Sequence, residues 1–520
     1  MLNTKLKLMS GLVALAAMTA LAQTQTNTPA GDASAPPAGV PAATPVAATP
    51  ATPAAPPSAF DDFVKQAKNP TDWLTWGADL RLRFEYLDNS IRLGNNLSLH
   101  ELDYFRFRGR FWTSVTPVTN LTLNARLAAE PREWMTPATS YPFSPKPYSP
   151  STANAGLEWR YGIVDALNVK WNNILDQPLS ITAGRQDIML GDTGDWWLVA
   201  DGTPNDGSWT MYLDSMRMTY TAKPIQTTID AIYIYQNARP GDWIPTFGRS
   251  ENYYVTEQNE QGVILYLSNK SLKNVQVDGY FIYKHDDRIT FPTSNGDNAN
   301  IFTIGSKITG TPAEHWFYSV EGAYQFGHKQ DATVQSKYVN STTDWREIAA
   351  YAGKAKLTYL FKDQMNNQVS LIGEFLSGDD PNTKNKDEMF DILWGRWPRW
   401  SEAMPFYYAN ETSGRMAQMN NLGRVGASWS ITPVKDTTFT AMYNALFAPE
   451  SVPTRDMTTT TTEQFSTDGN FRGHYVQGVL KHQFSKHMSA YVMGEGVWQG
   501  DYYTQRGLMT FVRAEINLTF

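Results

Sequence analysis

From Trp73 to Phe520 the chain repeats short segments in which apolar and polar residues alternate, and the connections between those segments alternate in length. Successive side chains of a β-strand point to opposite faces, so each segment predicts a strand with two dissimilar faces. The first sets Ala78, Leu80, Leu82, Phe84 and Tyr86 against Asp79, Arg81, Arg83 and Glu85. The second sets Phe105, Phe107, Phe111 and Val115 against Arg106, Arg108 and Arg110, and the third sets Leu121, Leu123, Ala125 and Leu127 against Thr122, Asn124 and Arg126. Eighteen strands are predicted, near 74–87, 103–115, 121–130, 161–171, 179–186, 215–221, 225–236, 261–267, 275–284, 301–308, 316–326, 348–360, 368–376, 421–430, 438–447, 474–484, 488–498 and 508–520. Connections after odd strands are mostly long (131–160, 187–214, 237–260, 327–347, 377–420, 448–473), whereas those after even strands are short (116–120, 222–224, 268–274, 485–487). Soluble sandwiches have no reason to segregate loop lengths, but a membrane barrel does, with tight periplasmic turns and long extracellular loops. The expected fold class is therefore all-β: a transmembrane antiparallel β-barrel of about 18 strands.

Composition narrows the alternatives. Outside the extreme N-terminus no run of about 18 apolar residues occurs, so no helical span is expected; barrels need only alternating strands. The absence of cysteine excludes disulfide frameworks, cysteine zinc sites, iron–sulfur clusters and thiol nucleophiles. A net charge of −7 argues against a nucleic-acid partner. No repeat of 20–50 residues supports a propeller.

The N-terminus has a leader's grammar. Lys5 and Lys7 precede a short apolar run, and Ala20-Leu21-Ala22 offers a small-residue cleavage site, so residues 1–22 read as a signal peptide. Residues 23–58 are almost entirely Ala, Pro, Thr and Ser, the composition of an extended periplasmic linker. A pre-barrel segment, 59–72, includes a short helix at 61–68 with Asp61 as its expected cap, and the barrel occupies 73–520.

The last strand alternates Val512, Ala514, Ile516, Leu518 and Phe520 with Arg513, Glu515, Asn517 and Thr519. A terminal aromatic behind such a strand resembles the signal read by the barrel-assembly machinery. Apolar faces would meet outer-membrane lipid and lipopolysaccharide, with Trp76, Tyr86, Trp171, Tyr359, Trp429 and Phe520 as interfacial girdles.

If the apolar faces meet lipid, the polar faces line the lumen. The predicted inward cations are Arg81, Arg83, Arg106, Arg108, Arg110, Arg126, Lys354, Lys356, Arg424 and Arg513, with Lys170, Arg217, Lys284, Lys307 and Lys481. The predicted inward anions are fewer: Asp79, Glu85, Glu130, Asp230, Asp278, Glu321, Glu374, Glu495 and Glu515. A basic lumen in an acidic protein suits anionic solutes, because low-dielectric walls focus the field. The first three strands favour arginine, whose planar fork matches a carboxylate. The competing expectation is that these arginines pair with lumenal acids and stiffen the wall.

Three motifs sharpen the comparison. They are Gly77-Ala78-Asp79-Leu80-Arg81-Leu82-Arg83, then Gly184-Arg185-Gln186-Asp187-Ile188 with Leu190-Gly191-Asp192, then Ser377-Gly378-Asp379-Asp380 before the aromatic stretch 390–408. In this order the chain resembles the alginate-export family of outer-membrane porins across roughly 73–520. The resemblance implies a monomeric eighteen-stranded barrel whose Arg/Lys-lined lumen passes an anionic polysaccharide, the polyuronate alginate. The family's best-known member uses a long periplasmic turn before the penultimate strand as a plug, whereas 485–487 is minimal here. A general or sugar-acid uptake porin is the alternative.

An outer-membrane hydrolase barrel or an adhesin is the weaker expectation. No Gly-x-Ser-x-Gly elbow is present, and the seven histidines are scattered without a His-Glu-x-x-His arrangement. His482 and His487 flank a turn and read as solvated residues. Asp379-Asp380 and the loop acids Asp192, Asp195 and Asp201 invite a Ca²⁺ reading but lack EF-hand spacing. No catalytic residue, cofactor or metal is expected.

Overall fold

The computed structural model describes residues 59–520 apart from 91–92, 94–99, 136–155, 159–160, 191–211, 249–253, 290–295, 331–344, 396–399, 410, 412–419 and 454–463. Eighteen long strands make the wall: β1 (Leu74–Asp88), β2 (Glu101–Val118), β3 (Leu121–Ala129), β4 (Gly162–Trp171), β5 (Leu179–Gln186), β6 (Leu213–Ala222), β7 (Thr227–Gln236), β8 (Asn259–Asn269) and β9 (Val275–Asp287). The circuit continues with β10 (Asn298–Ala313), β11 (Trp316–Gln330), β12 (Arg346–Leu360), β13 (Gln368–Leu376), β14 (Leu422–Val434), β15 (Thr437–Phe447), β16 (Phe471–Ser485), β17 (Met488–Gln499) and β18 (Leu508–Thr519). Each pairs antiparallel with the next, and β18 returns to β1 in register from Asp79↔Thr519 to Asp88↔Thr510. The sheet is closed. Closure satisfies every ladder group internally, which a hydrocarbon environment requires.

Period two decides the faces. Leu80, Phe107, Phe111, Leu123 and Leu127 are exposed on the outer surface, while Asp79, Arg81, Arg83, Glu85 and Arg106 are buried inside. The register breaks where β3 meets β4: it passes from Arg126↔Ala166 to Leu127↔Val164 and skips Asp165. This bulge turns Asp165 into the lumen, fully buried and 2.8 Å from Arg126 Nε.

Turns at one end are minimal. Thr119-Asn120 joins β2 to β3 and Lys435-Asp436 joins β14 to β15, with φ of 69° at Asn120 and 61° at Asp436. Asn and Asp tolerate this left-handed conformation better than other side chains. At the same end Phe520 N donates to Ala78 O at 2.8 Å, and its ring lies 5.1 Å from that of Trp76. Helix α1 (Ala59–Lys68) begins two residues before Asp61, so Asp61 lies in its first turn rather than capping it. Asp61 instead reaches the β16–β17 turn, 2.5 Å from Lys486 Nζ and 3.5 Å from His487 Nε2. Among the described residues no helix is long and apolar enough to cross a membrane.

Candidate conduit through the barrel

Register places like charges side by side on the inner wall of β1 and β2. Arg81 stands opposite Arg108, and Arg83 opposite Arg106. Cross-strand like charges repel, so such pairs need counter-ions. Glu130, just after β3, takes Arg81 Nη2 at 2.9 Å and Arg106 Nη2 at 2.6 Å. Glu515 on β18 accepts from Arg83 Nε at 2.7 Å. Glu85 is shared: Arg513 Nε donates to it at 2.8 Å, Arg106 Nη1 at 3.3 Å and the Tyr104 hydroxyl at 2.5 Å. Arg108 is held more loosely. Among the described residues its acid contact is Asp79 at 3.4 Å, a carboxylate that Arg110 Nε already holds at 2.7 Å. Arg108 Nε is buried without a hydrogen-bond partner.

Across β9 to β14 the wall instead alternates in sign. Asp278, Lys307, Glu321, Lys354, Glu374 and Arg424 follow one another as direct cross-strand neighbours. Lys356 stands one step toward the short-turn end, opposite Ser319 and Ile372. This ladder is self-neutralising, unlike the arginine face of β1–β2.

Of the connection from β13 to β14, residues 387–395 and 400–408 pack inside the barrel. Its first half seats on β8–β12. Asp391 N donates to Gln325 Oε1 at 2.8 Å, Gln325 Nε2 donates back to Asp391 O at 2.7 Å, and Asp387 lies 3.0 Å from Lys329. Arg346 Nη1 contacts Asp379 at 2.9 Å and donates to Lys386 O at 2.7 Å. Trp394 lies against Gly262, where even a Cβ would sit 2.7 Å from its ring. Phe390, Leu393 and Trp394 join Ile232, Ile234, Ile264 and Ile282 of β7–β9 in one apolar cluster inside the barrel. Burial first, and then the Asp387 carboxylate, push the Asp379 carboxyl up to about 8, against the pull of Arg346 and of the Glu388 N–H.

The second half seats on the far side, β14–β18. Helix α2 (Met404–Ala409) is capped by Ser401, whose Oγ accepts from Met404 N at 3.1 Å. Glu495 of β17 accepts from Glu402 N at 2.9 Å and Ala403 N at 3.1 Å, so the barrel wall caps this helix as well. Arg424 pairs with Glu374 and lies 4.5 Å from the Trp400 ring. Glu402 meets Arg513 at 3.0 Å, Phe406 packs on Phe511, and Glu411 pairs with Arg472. The loop thus straddles the lumen from one wall to the other.

All ten residues expected to line the conduit lie on the inner wall, and the structure gathers them into three groups. Arg81, Arg83, Arg106, Arg108, Arg110 and Arg513 share the β1–β2–β18 face. Arg126 sits apart, held between Asp165 at 2.8 Å and Asp187 at 2.9 Å. Lys354, Lys356 and Arg424 belong to the alternating wall. Strand parity alone missed Arg132, Arg185, Lys329, Arg346 and Arg472, and a larger set of acids: Asp165, Asp214, Glu260, Asp286, Asp387, Asp391, Glu402 and Glu411, all buried or ion-paired. Asp165 was hidden by the bulge. Asp214, Glu260 and Asp286 lie just past the predicted strand ends, and the rest arrive on the crossing loop.

These additions polarise the lumen. The acids gather near β8–β12, with Glu260, Asp286, Asp297, Asp379, Asp387 and Asp391 around Lys284, Lys329 and Arg346. β10 is half a circuit from β1, so this acidic wall faces the arginine wall across the crossing loop. Asp379 and Asp380 hold loop turns: Asp380 Oδ1 accepts from Asn382 N at 2.8 Å. No metal-ligand cluster occurs among the described residues, and Asp192, Asp195 and Asp201 lie outside them.

A family model described as alginate export matches residues 247–515. No curated protein matches the chain in sequence. Among solved structures, Acinetobacter baumannii OccAB2 is similar at TM-score 0.51 and 10% identity, covering 86% of this chain and 98% of its own. Acinetobacter baumannii OccAB1 is similar at TM-score 0.50 and 9% identity, over 86% and 96%. Pseudomonas aeruginosa OpdK, crystallised with vanillate, is similar at TM-score 0.50 and 9% identity, over 86% and 98%. At such identities the likeness concerns the fold, an outer-membrane porin barrel. With more than half its length matched by the family model and an eighteen-stranded porin barrel for its fold, this chain belongs to the alginate export family of outer-membrane proteins.

Proposed function

We propose that this porin is a passive conduit for anionic solutes, with a carboxylated polysaccharide of the polyuronate class as its cargo. The observation that carries the reading is the register of β1 and β2, which sets Arg81 against Arg108 and Arg83 against Arg106 inside the lumen. A wall needing only stiffness would alternate signs, as β9–β14 does, and would not confront arginines with arginines. Arg108, held only at 3.4 Å, is the β1–β2 arginine least committed to a wall acid and so the readiest there to turn to a passing carboxylate. The leader, the periplasmic position of residues 23–58, and contacts with lipopolysaccharide and the assembly machinery complete the proposal.

The crossing loop favours a second reading, uptake of small sugar acids, because a seated loop narrows the lumen for a polymer. The vanillate of the OpdK structure is likewise a carboxylate. Planar-bilayer reversal potentials in a salt gradient test the shared claim. Chloride preference is expected, and cation preference with the loop deleted would overturn it. Block by oligogalacturonate longer than a dimer, against passage of monomeric galacturonate only, separates the two cargoes.

A further inference from the structure

The second half of the crossing loop places two of its own carboxylates on lumenal arginines. Glu411 is fully buried and pairs with Arg472 through both oxygens, one contact at 3.1 Å. The Tyr502 hydroxyl donates to the same carboxylate at 3.0 Å. The Arg472 guanidinium lies 4.1 Å from the Tyr502 ring centre and 4.8 Å from that of Tyr408. Glu402 lies 3.0 Å from Arg513, which also holds Glu85. A two-pronged guanidinium flanked by aromatic rings is the chemistry that binds a carboxylate carried on a ring, sugar or aromatic, whose face can lie against those aromatics.

We propose that Glu402 and Glu411 stand in for the carboxylates of the solute, and that a carboxylated sugar releases the loop by taking their places on Arg513 and Arg472. This deepens, and rests on, the reading of the lumen as an anion conduit. Lifting Glu411 alone would strand a buried guanidinium, so without solute the loop stays seated. Exchange of one carboxylate for another leaves Arg472 paired throughout. A neutral sugar offers no such exchange, so the same contact that closes the lumen would also select its opener.

The chain has no cysteine, so one can be introduced at Ala403 of the loop, which is fully buried where the loop seats on Glu495. In detergent-purified, full-length protein, trigalacturonate should speed thiol labelling of Ala403→Cys, and maltotriose should not. Glu411→Gln should give fast labelling without sugar, roughly tenfold above the parent, the factor expected from losing one charged hydrogen-bonded pair. Glu411→Asp should restore sugar dependence. Heat-modifiable migration on gels reports folding; if Glu411→Gln fails to fold, the sugar dependence of the parent decides alone. Labelling indifferent to trigalacturonate overturns the stand-in role even where chloride selectivity upholds the conduit. Cation selectivity of the loop-deleted pore overturns the conduit, and the stand-in role with it.

Discussion

Arg83 and Arg106 face each other directly across the β1–β2 ladder, and the carboxylates Glu515 on the β18 side and Glu130 on the β3 side draw their guanidinium groups to opposite sides around the wall. Arg106 is fully buried and also reaches Glu85, so it is a strut as well as a charge. Arg106→Ala would leave Glu130 and Glu85 short of a partner. Breaking a buried pair from one side costs about 3–5 kcal/mol. A lowered denaturant midpoint in lipid vesicles is the expected outcome, and an unchanged midpoint would show the pair to be dispensable.

Arg108 is the contrasting case. It leans on an Asp79 already held by Arg110. Arg108→Ser should lower the chloride preference expected of the pore and lower the midpoint less than Arg106→Ala does, because Arg108 gives up one long contact rather than a shared network. Reversal potentials equal to the parent's would reassign the selectivity to other cations.

Orientation follows from loop length. A cysteine replacing Asn382, in the long 377–421 connection, should be labelled on intact cells by a membrane-impermeant reagent. One replacing Lys435, in a two-residue turn, should be labelled only after the outer membrane is opened. The reverse pattern would invert the barrel.

The strands were legible because lipid imposes one rule on every outward face, and that rule writes itself as period two. Their ends were less so. β8 begins at Asn259 and β9 runs to Asp287, beyond the apolar alternation, because above the bilayer neither face need be apolar. Those extra turns of ladder carry Glu260 and Asp286. The inward-folded loop left one trace: β7 and β8 are apolar on both faces, with Ile232, Ile234 and Ile264 buried inside and Tyr233, Val263 and Leu265 exposed outside. A wall apolar on both sides must be covered on both sides, and the loop's Phe390 and Trp394 are its inner cover. Which loop acids would meet which wall arginines depends on that docking, and local pattern does not encode it.

Helix α1 is tied to the short-turn end by Asp61 with Lys486 and His487. These groups are partly exposed, and such pairs contribute about 0–1 kcal/mol. Asp61→Asn should therefore free the helix for proteolysis without lowering the barrel's unfolding midpoint. Protection unchanged from the parent would mean that the buried Val64, rather than the ion pair, holds the helix.

The first-half anchor of the crossing loop should weaken as pH rises. Asp379 faces Arg346 at 2.9 Å and shares it with Asp387 at 3.5 Å, while Lys329 lies 3.0 Å from Asp387 and the Glu388 N–H donates to Asp379. Burial and the Asp387 charge hold the seated Asp379 carboxyl up to about 8, whereas a released, solvated aspartate titrates near 4. The seated loop thus keeps a proton that the released loop surrenders. Its contribution is complete below about pH 4, declines as pH rises, and is lost once pH passes about 8. Bilayer conductance measured from pH 5 to pH 9 should therefore climb as the loop loosens. Asp379→Asn, neutral at every pH and still able to accept from Arg346, should flatten that climb. A wild-type conductance that falls with pH, or a slope that survives Asp379→Asn, would place the titrating group elsewhere on the loop.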